Sequence, residues 1–114
     1  MANQRQYHRL LARLKTVAET ETQAMLKAAP AEFRERVSGV TVQFEGSPTK
    51  DMLARGVDSE AVSTTDRDGH AITIFLMTLH QRCGPEPGRF RQELRRVMLT
   101  ELADCAGMDV QFEE

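Results

Sequence analysis

The sequence predicts an α+β domain, a short β-sheet packed against an N-terminal helix and a C-terminal helix. Apolar residues recur at spacings of three and four over residues 7–29 and again over 89–106, the period of amphipathic helices. Residues 40–45 (VTVQFE) alternate strictly between apolar and polar side chains, the period of a half-buried strand. Residues 71–76 (AITIFL) are rich in β-branched and aromatic side chains and predict a second strand.

In the first helix Tyr7, Leu10, Leu11, Leu14, Val17, Ala18, Met25 and Ala28 fall on one face, backed by Arg, Lys, Glu and Gln. Pro30 ends it or opens the next element. Residues 31–37 supply one or two further helical turns, with Ser38-Gly39 as the stop. In the strand that follows, Val40, Val42 and Phe44 share one side, and Gly46-Ser47-Pro48 breaks it. Residues 49–70 carry the weakest pattern: Gly56 and the polar run 63–69 (STTDRDG) predict a short element and then a turn. After the second strand, residues 83–88 (CGPEPG) read as loop, and the last helix stops at Gly107, a residue suited to a left-handed cap. The expected order is α, β, (β), β, α.

The chain has 114 residues, 40% hydrophobic and 28% charged, with a formal net charge of −2. That is the balance of one folded domain spanning residues 1–114. The absence of a basic excess argues against a general nucleic-acid binder. No apolar run approaches the roughly 18–20 residues of a membrane span, and the opening MANQRQYHRLLARLK lacks the apolar core of a secretory signal. A cytoplasmic location is therefore expected, with Cys83 and Cys105 as free thiols and one bridge between them left open.

On the helical wheel of residues 89–106, Phe90, Leu94, Val97, Met98 and Cys105 share one side, with Leu102 at its margin. Glu101 falls in the middle of this apolar arc, and Thr100 and Asp104 lie at its edge beside Glu93 and Arg96. A carboxylate buried there costs several kcal/mol or stays protonated, unless a partner or a wet cleft receives it. Two explanations stand side by side: an ion pair with one of the many arginines, or a functional site.

Residues 100–107 read T-E-L-A-D-C-A-G. This resembles the H-E-x-x-H-x-x-G helix of small bacterial zincin-like metallopeptidases, which carry an aspartate three residues after the glycine. The ITIF strand at 72–75, the connection at 77–84, the first helix and the VTVQFE strand fit the same order. The pattern covers most of the chain; its specific part is about fifteen residues long. The resemblance implies a minimal zincin-like fold. In such a protein two histidines one turn apart bind Zn²⁺, the adjacent Glu acts as general base on metal-bound water, and the Gly turns the chain toward a third ligand.

Mapped onto this motif, the general-base position is Glu101 and the turn is Gly107. The ligand positions are Thr100, a poor zinc ligand, Asp104, which prefers harder ions, and Val110, with Asp109 one residue early. Loss of two imidazoles is expected to abolish useful zinc binding, and without the ion nothing lowers the pKa of the attacking water. The expectation is a degenerate, non-catalytic member with no cofactor, its Glu101 vestigial, binding a peptide or partner protein and neither nucleic acid nor membrane. Addition of an extended peptide to a sheet edge is the natural mode. The competing reading is a metal-dependent hydrolase with an altered divalent-metal site around Glu101 and Asp104. A third is an unrelated α+β domain.

Other constellations are weaker. His8 and His70 read as surface residues. His80 follows the second strand, and a replacement site of His80, Cys105, Asp104 and Glu101 is conceivable. Glu101, Asp104 and Asp109 together suit Mg²⁺ or Ca²⁺ only weakly. Cys105, placed in the apolar arc, reads as an inert thiol rather than a nucleophile. The arginines at 89, 91, 95 and 96 read as a solvated face.

Overall fold

The computed structural model describes residues 2–66, 68 and 70–107. Its elements run α1 (Ala2–Ala28), α2 (Ala31–Arg36), β1 (Thr41–Glu45), α3 (Lys50–Ala54), β2 (Ser63–Thr65), β3 (Ala71–Phe75), α4 (Leu76–Cys83) and α5 (Pro87–Ala106). The class is α+β: α4 and α5 pack on a three-stranded sheet of order β1-β3-β2, and the long α1 packs in turn against α5 and α4.

The strand order follows from burial. β3 is the most apolar strand, and it lies in the centre, where both of its edges are paired. β1 pairs with it in parallel, Val42 opposite Ile72 and Phe44 opposite Ile74. β2 pairs antiparallel, Thr65 opposite Ile72 and Ser63 opposite Ile74. Alternation then gives two faces. Ile72 and Ile74 join Leu14 and Ala18 of α1, Leu76 and Leu79 of α4, and Leu94, Met98 and Leu102 of α5 in the core, with Val42 and Phe44 against it. Thr73 and Phe75 turn to the opposite face, and both are buried. A depression there, lined by Gln43, Thr64, Met52, Arg55 and Val57, shows that α3 and its following loop cover that side.

The weakly patterned segment 49–70 therefore contains a helix and a strand. Thr49 starts α3, its hydroxyl accepting from the Met52 N–H at 3.2 Å. β2 follows the loop. The connection after β3 is likewise helical, beginning at Leu76 rather than continuing as strand or loop. Leu76, Leu79 and Cys83 are spaced three and four apart and all buried, and the Met77 N–H ties the first turn to the Gly46 carbonyl at 2.9 Å. α5 starts two residues earlier than its apolar period indicates, because Pro87 suits a first helical turn.

α1 packs along α5. Leu14 and Ala18 are buried in that contact, whereas Tyr7 is exposed at 38% and Ala28 lies at the surface. Glu21, whose side chain is only 13% exposed, accepts from Arg95 Nε at 2.7 Å and lies 3.9 Å from Arg91 Nε. Arg95, on the solvated face expected of it, thus ties α1 to α5, with Arg91 at the outer limit of an ion pair. No helix of the described residues is long and apolar enough to cross a membrane. Cys83 and Cys105 are both free.

Candidate functional site

The end of α5 and the edge strand β2 meet at one side chain pair. The Thr65 hydroxyl donates to Glu101 Oε2 at 2.7 Å. Thr65 reaches Glu101 because it shares the sheet face of Ile72, the face against which α5 packs. Both residues are half-buried. Among the described residues the partner shown for Glu101 is this hydroxyl, while Arg91 and Arg95 face Glu21 and Arg96 bonds Glu93.

The helix is also rotated relative to the expected arc. Leu102 and Ala103 are buried at 1% and 2% exposure, while Glu101 and Cys105 sit at the margin. The wheel assumes cover from one direction, but the last turns of α5 are covered from two. The sheet lies on one side; on the other, Leu99 lines a groove with Met25 of α1 and Phe33 of α2. Glu101 is consequently held at the rim of the core, where water reaches it, and the cost of burying a charge largely disappears.

β2 is an edge whose bonding alternates. The Phe75 N–H donates to the Val62 carbonyl at 2.9 Å and the Asp66 N–H to the Ala71 carbonyl at 3.0 Å. Thr64 faces Thr73 between these pairs, so Val62, Thr64 and Asp66 turn their backbone groups toward β3. Ser63 and Thr65 turn theirs outward, away from the sheet. The Thr65 side chain joins this edge strand to Glu101.

Burial pushes the Cys105 thiol above its ordinary value, and the carboxylates of Glu101, Asp104 and Asp66 push it further. Cys105 is thus a suppressed thiol, poorly suited to nucleophilic attack. Cys83 is also raised, first by burial and then by Glu93, with Arg89 opposing. Asp66 itself caps the chain into β3, accepting from the His70 N–H at 2.9 Å.

Thr100 is half-buried, Asp104 is exposed, and Gly107 takes the left-handed conformation (φ 69°) that ends the helix. Asp109 and Val110 lie outside the described residues. Zinc, which the resemblance implies, does not fit the donors present. Among the described residues no three His, Cys, Asp or Glu side chains stand close enough to hold an ion. The replacement set of His80, Cys105, Asp104 and Glu101 is not brought together. His80 lies on α4 with its ring edge-on to Phe90 at 6.1 Å, near the opposite end of α5. His8 and His70 are exposed, His8 stacking edge-on with Tyr7 at 5.7 Å.

Sequence reasoning missed Thr65 and Asp66. The paired threonines of STTD are a strand signal, but three residues are too short for alternation to show. Comparison with known proteins finds no family model, curated protein or solved structure that matches the chain.

Proposed function

We propose that the chain is a zincin-like domain without peptidase activity, and that it binds an extended peptide along the outer edge of β2. The observation that carries this reading is the Thr65–Glu101 hydrogen bond, which joins the motif helix to a strand whose outer edge has no partner among the described residues. The backbone groups of Ser63 and Thr65 offer the hydrogen bonds of β-augmentation, a recognition mode that needs no metal. Thr100, Glu101 and Asp104 supply a single general-base equivalent and no imidazole, so the chemistry of zinc hydrolysis has no donor set to rest on.

A random linear-peptide library selected against the full chain tests the binding half. Ser63→Pro removes an outward N–H without touching the ladder to β3. Selected peptides are expected to lose binding to that variant, and equal binding to both proteins would overturn the reading. The non-catalytic half is tested by metal content and thermal unfolding with Zn²⁺, Mn²⁺ or Mg²⁺. Any bound ion would raise the unfolding temperature. A stoichiometric metal with hydrolysis abolished by Glu101→Gln would establish the hydrolase reading instead.

A further inference from the structure

A second concavity lies between α1, the loop after α4 and the first turns of α5, with a volume of about 350 Å³. Its floor is apolar, formed by Leu14, Val17 and Phe90. Its rim carries Arg13, Arg91 and His80, with Glu86 as the one acidic side chain among the described lining residues. Gly84, in a backbone conformation (φ 75°) that favours glycine, turns the loop that closes one side.

The cations of this rim are poorly neutralised. Residues 2–18 contain Arg5, Arg9, Arg13 and Lys15 and no Asp or Glu, so α1 offers Arg13 no i, i+4 partner; Arg9, one turn before it, adds repulsion. Arg91, 54% exposed, reaches Glu21 Oε1 only at 3.9 Å, whereas Arg95 holds Oε2 at 2.7 Å, so Arg91 is only loosely engaged. An apolar floor under an excess of guanidinium is the complement of a molecule with a greasy body and one negative end.

We propose that this cavity binds a small amphiphilic monoanion, an organic carboxylate with a short aliphatic or aromatic body. Arg13 and Arg91 hold the carboxylate from two sides, and the body lies on Phe90 and Val17. The site is separate from the β2 edge: Phe90 and Glu101 are eleven residues apart on one helix, about 16 Å along its axis. Its test is therefore independent of the peptide-binding reading.

The experiment is a titration of the isotopically labelled full chain with octanoate, followed by amide chemical shifts, with octanol and octyltrimethylammonium as neutral and cationic controls. Saturable shifts are expected at residues 10–17 and 80–91 and not at 63–66 or 100–105. Octanoate should bind tighter than octanol, and the ammonium should not compete. Arg13→Glu is expected to weaken octanoate at least tenfold, the loss of one charge-assisted hydrogen bond. Arg55→Glu, on the far face of the sheet, leaves it unchanged. Should Arg13→Glu fail to fold, Arg91→Gln carries the same expectation. Absence of saturation, equal affinity for octanol, or insensitivity to both arginine variants would overturn the proposal.

Discussion

Replacing the two partners of the Thr65–Glu101 bond separately and together asks what the carboxylate does. A hydrogen bond to a charged group contributes about 1.5–3 kcal/mol when sheltered. Both residues here are half-buried, and water competes for the same oxygens, so about 1 kcal/mol is expected. Thr65→Val removes the donor and should cost that amount. Glu101→Leu removes the acceptor but places an apolar side chain at the rim of the core. Burying about 40 Å² of it returns about 1 kcal/mol, leaving this variant close to wild type. Neither single value isolates the bond; the coupling from the double-mutant cycle does, and it should be near 1 kcal/mol. In a domain of this size that is a shift of about 4 °C in Tm. Urea unfolding followed by circular dichroism at equal protein concentration measures all four proteins. A coupling below about 0.3 kcal/mol would refute the claim that Glu101 braces β2.

Further consequences follow from other contacts. A Cβ at Gly46 would collide with the Tyr7 hydroxyl and come within 3.4 Å of Leu11 Cδ2, so Gly46→Ala should cost about 1 kcal/mol by denaturant titration, largely restored by adding Tyr7→Ala. Glu21→Gln should loosen α1 from α5 by about 1 kcal/mol, less in high salt, because it leaves Arg91 and Arg95 without their carboxylate. The folded state holds the Cys83 and Cys105 protons to higher pH than the unfolded chain does. The unfolded chain therefore binds fewer protons above the ordinary value of 9.0, and stability should fall as pH rises through it. Replacing both cysteines by alanine should flatten that slope, and a slope that persists unchanged would assign it to other groups.

The helices and two strands with regular period were legible because burial repeats along each of them with the period of its backbone. VTVQFE alternates since one face meets the core, and AITIF is nearly continuous since both its faces are covered, Ile72 and Ile74 by helices and Thr73 and Phe75 by the segment around α3. A strand between the two regular ones was expected, but α3 and the bounds of β2 were not legible because their placement is tertiary. STT has no apolar side chain, and Thr65 acquires its role only by standing opposite Ile72 above α5. The misplacement of Glu101 in the buried arc has a related cause. Phe90 and Leu94 do mark the core side of the first turns, but Leu102 and Ala103 mark a different side of the last ones. No fixed wheel represents a helix whose covering neighbours change along its length. His80 went to another place altogether, since α4, read as a connection, carries it toward Phe90 and α1.

These corrections bear on what Glu101 means. In the middle of an apolar arc, a carboxylate demands a strong compensating partner, and a catalytic role would be one explanation for it. At the rim, with a hydroxyl at 2.7 Å and access to water, it demands none. A short three-residue strand on a sheet edge is marginal by itself, and a side-chain bond from the helix beneath gives it a second attachment besides its ladder to β3. The same bond fixes the height of β2 above α5, and with it the position of the outward Ser63 and Thr65 backbone groups. Glu101 can thus set the geometry of a peptide-binding edge without ever activating a water molecule. If that is its role, Thr65→Val should weaken peptide binding as well as stability, while Ser63→Pro should weaken binding far more than stability. Loss of both properties in equal measure in the two variants would mean that the edge is not the binding surface.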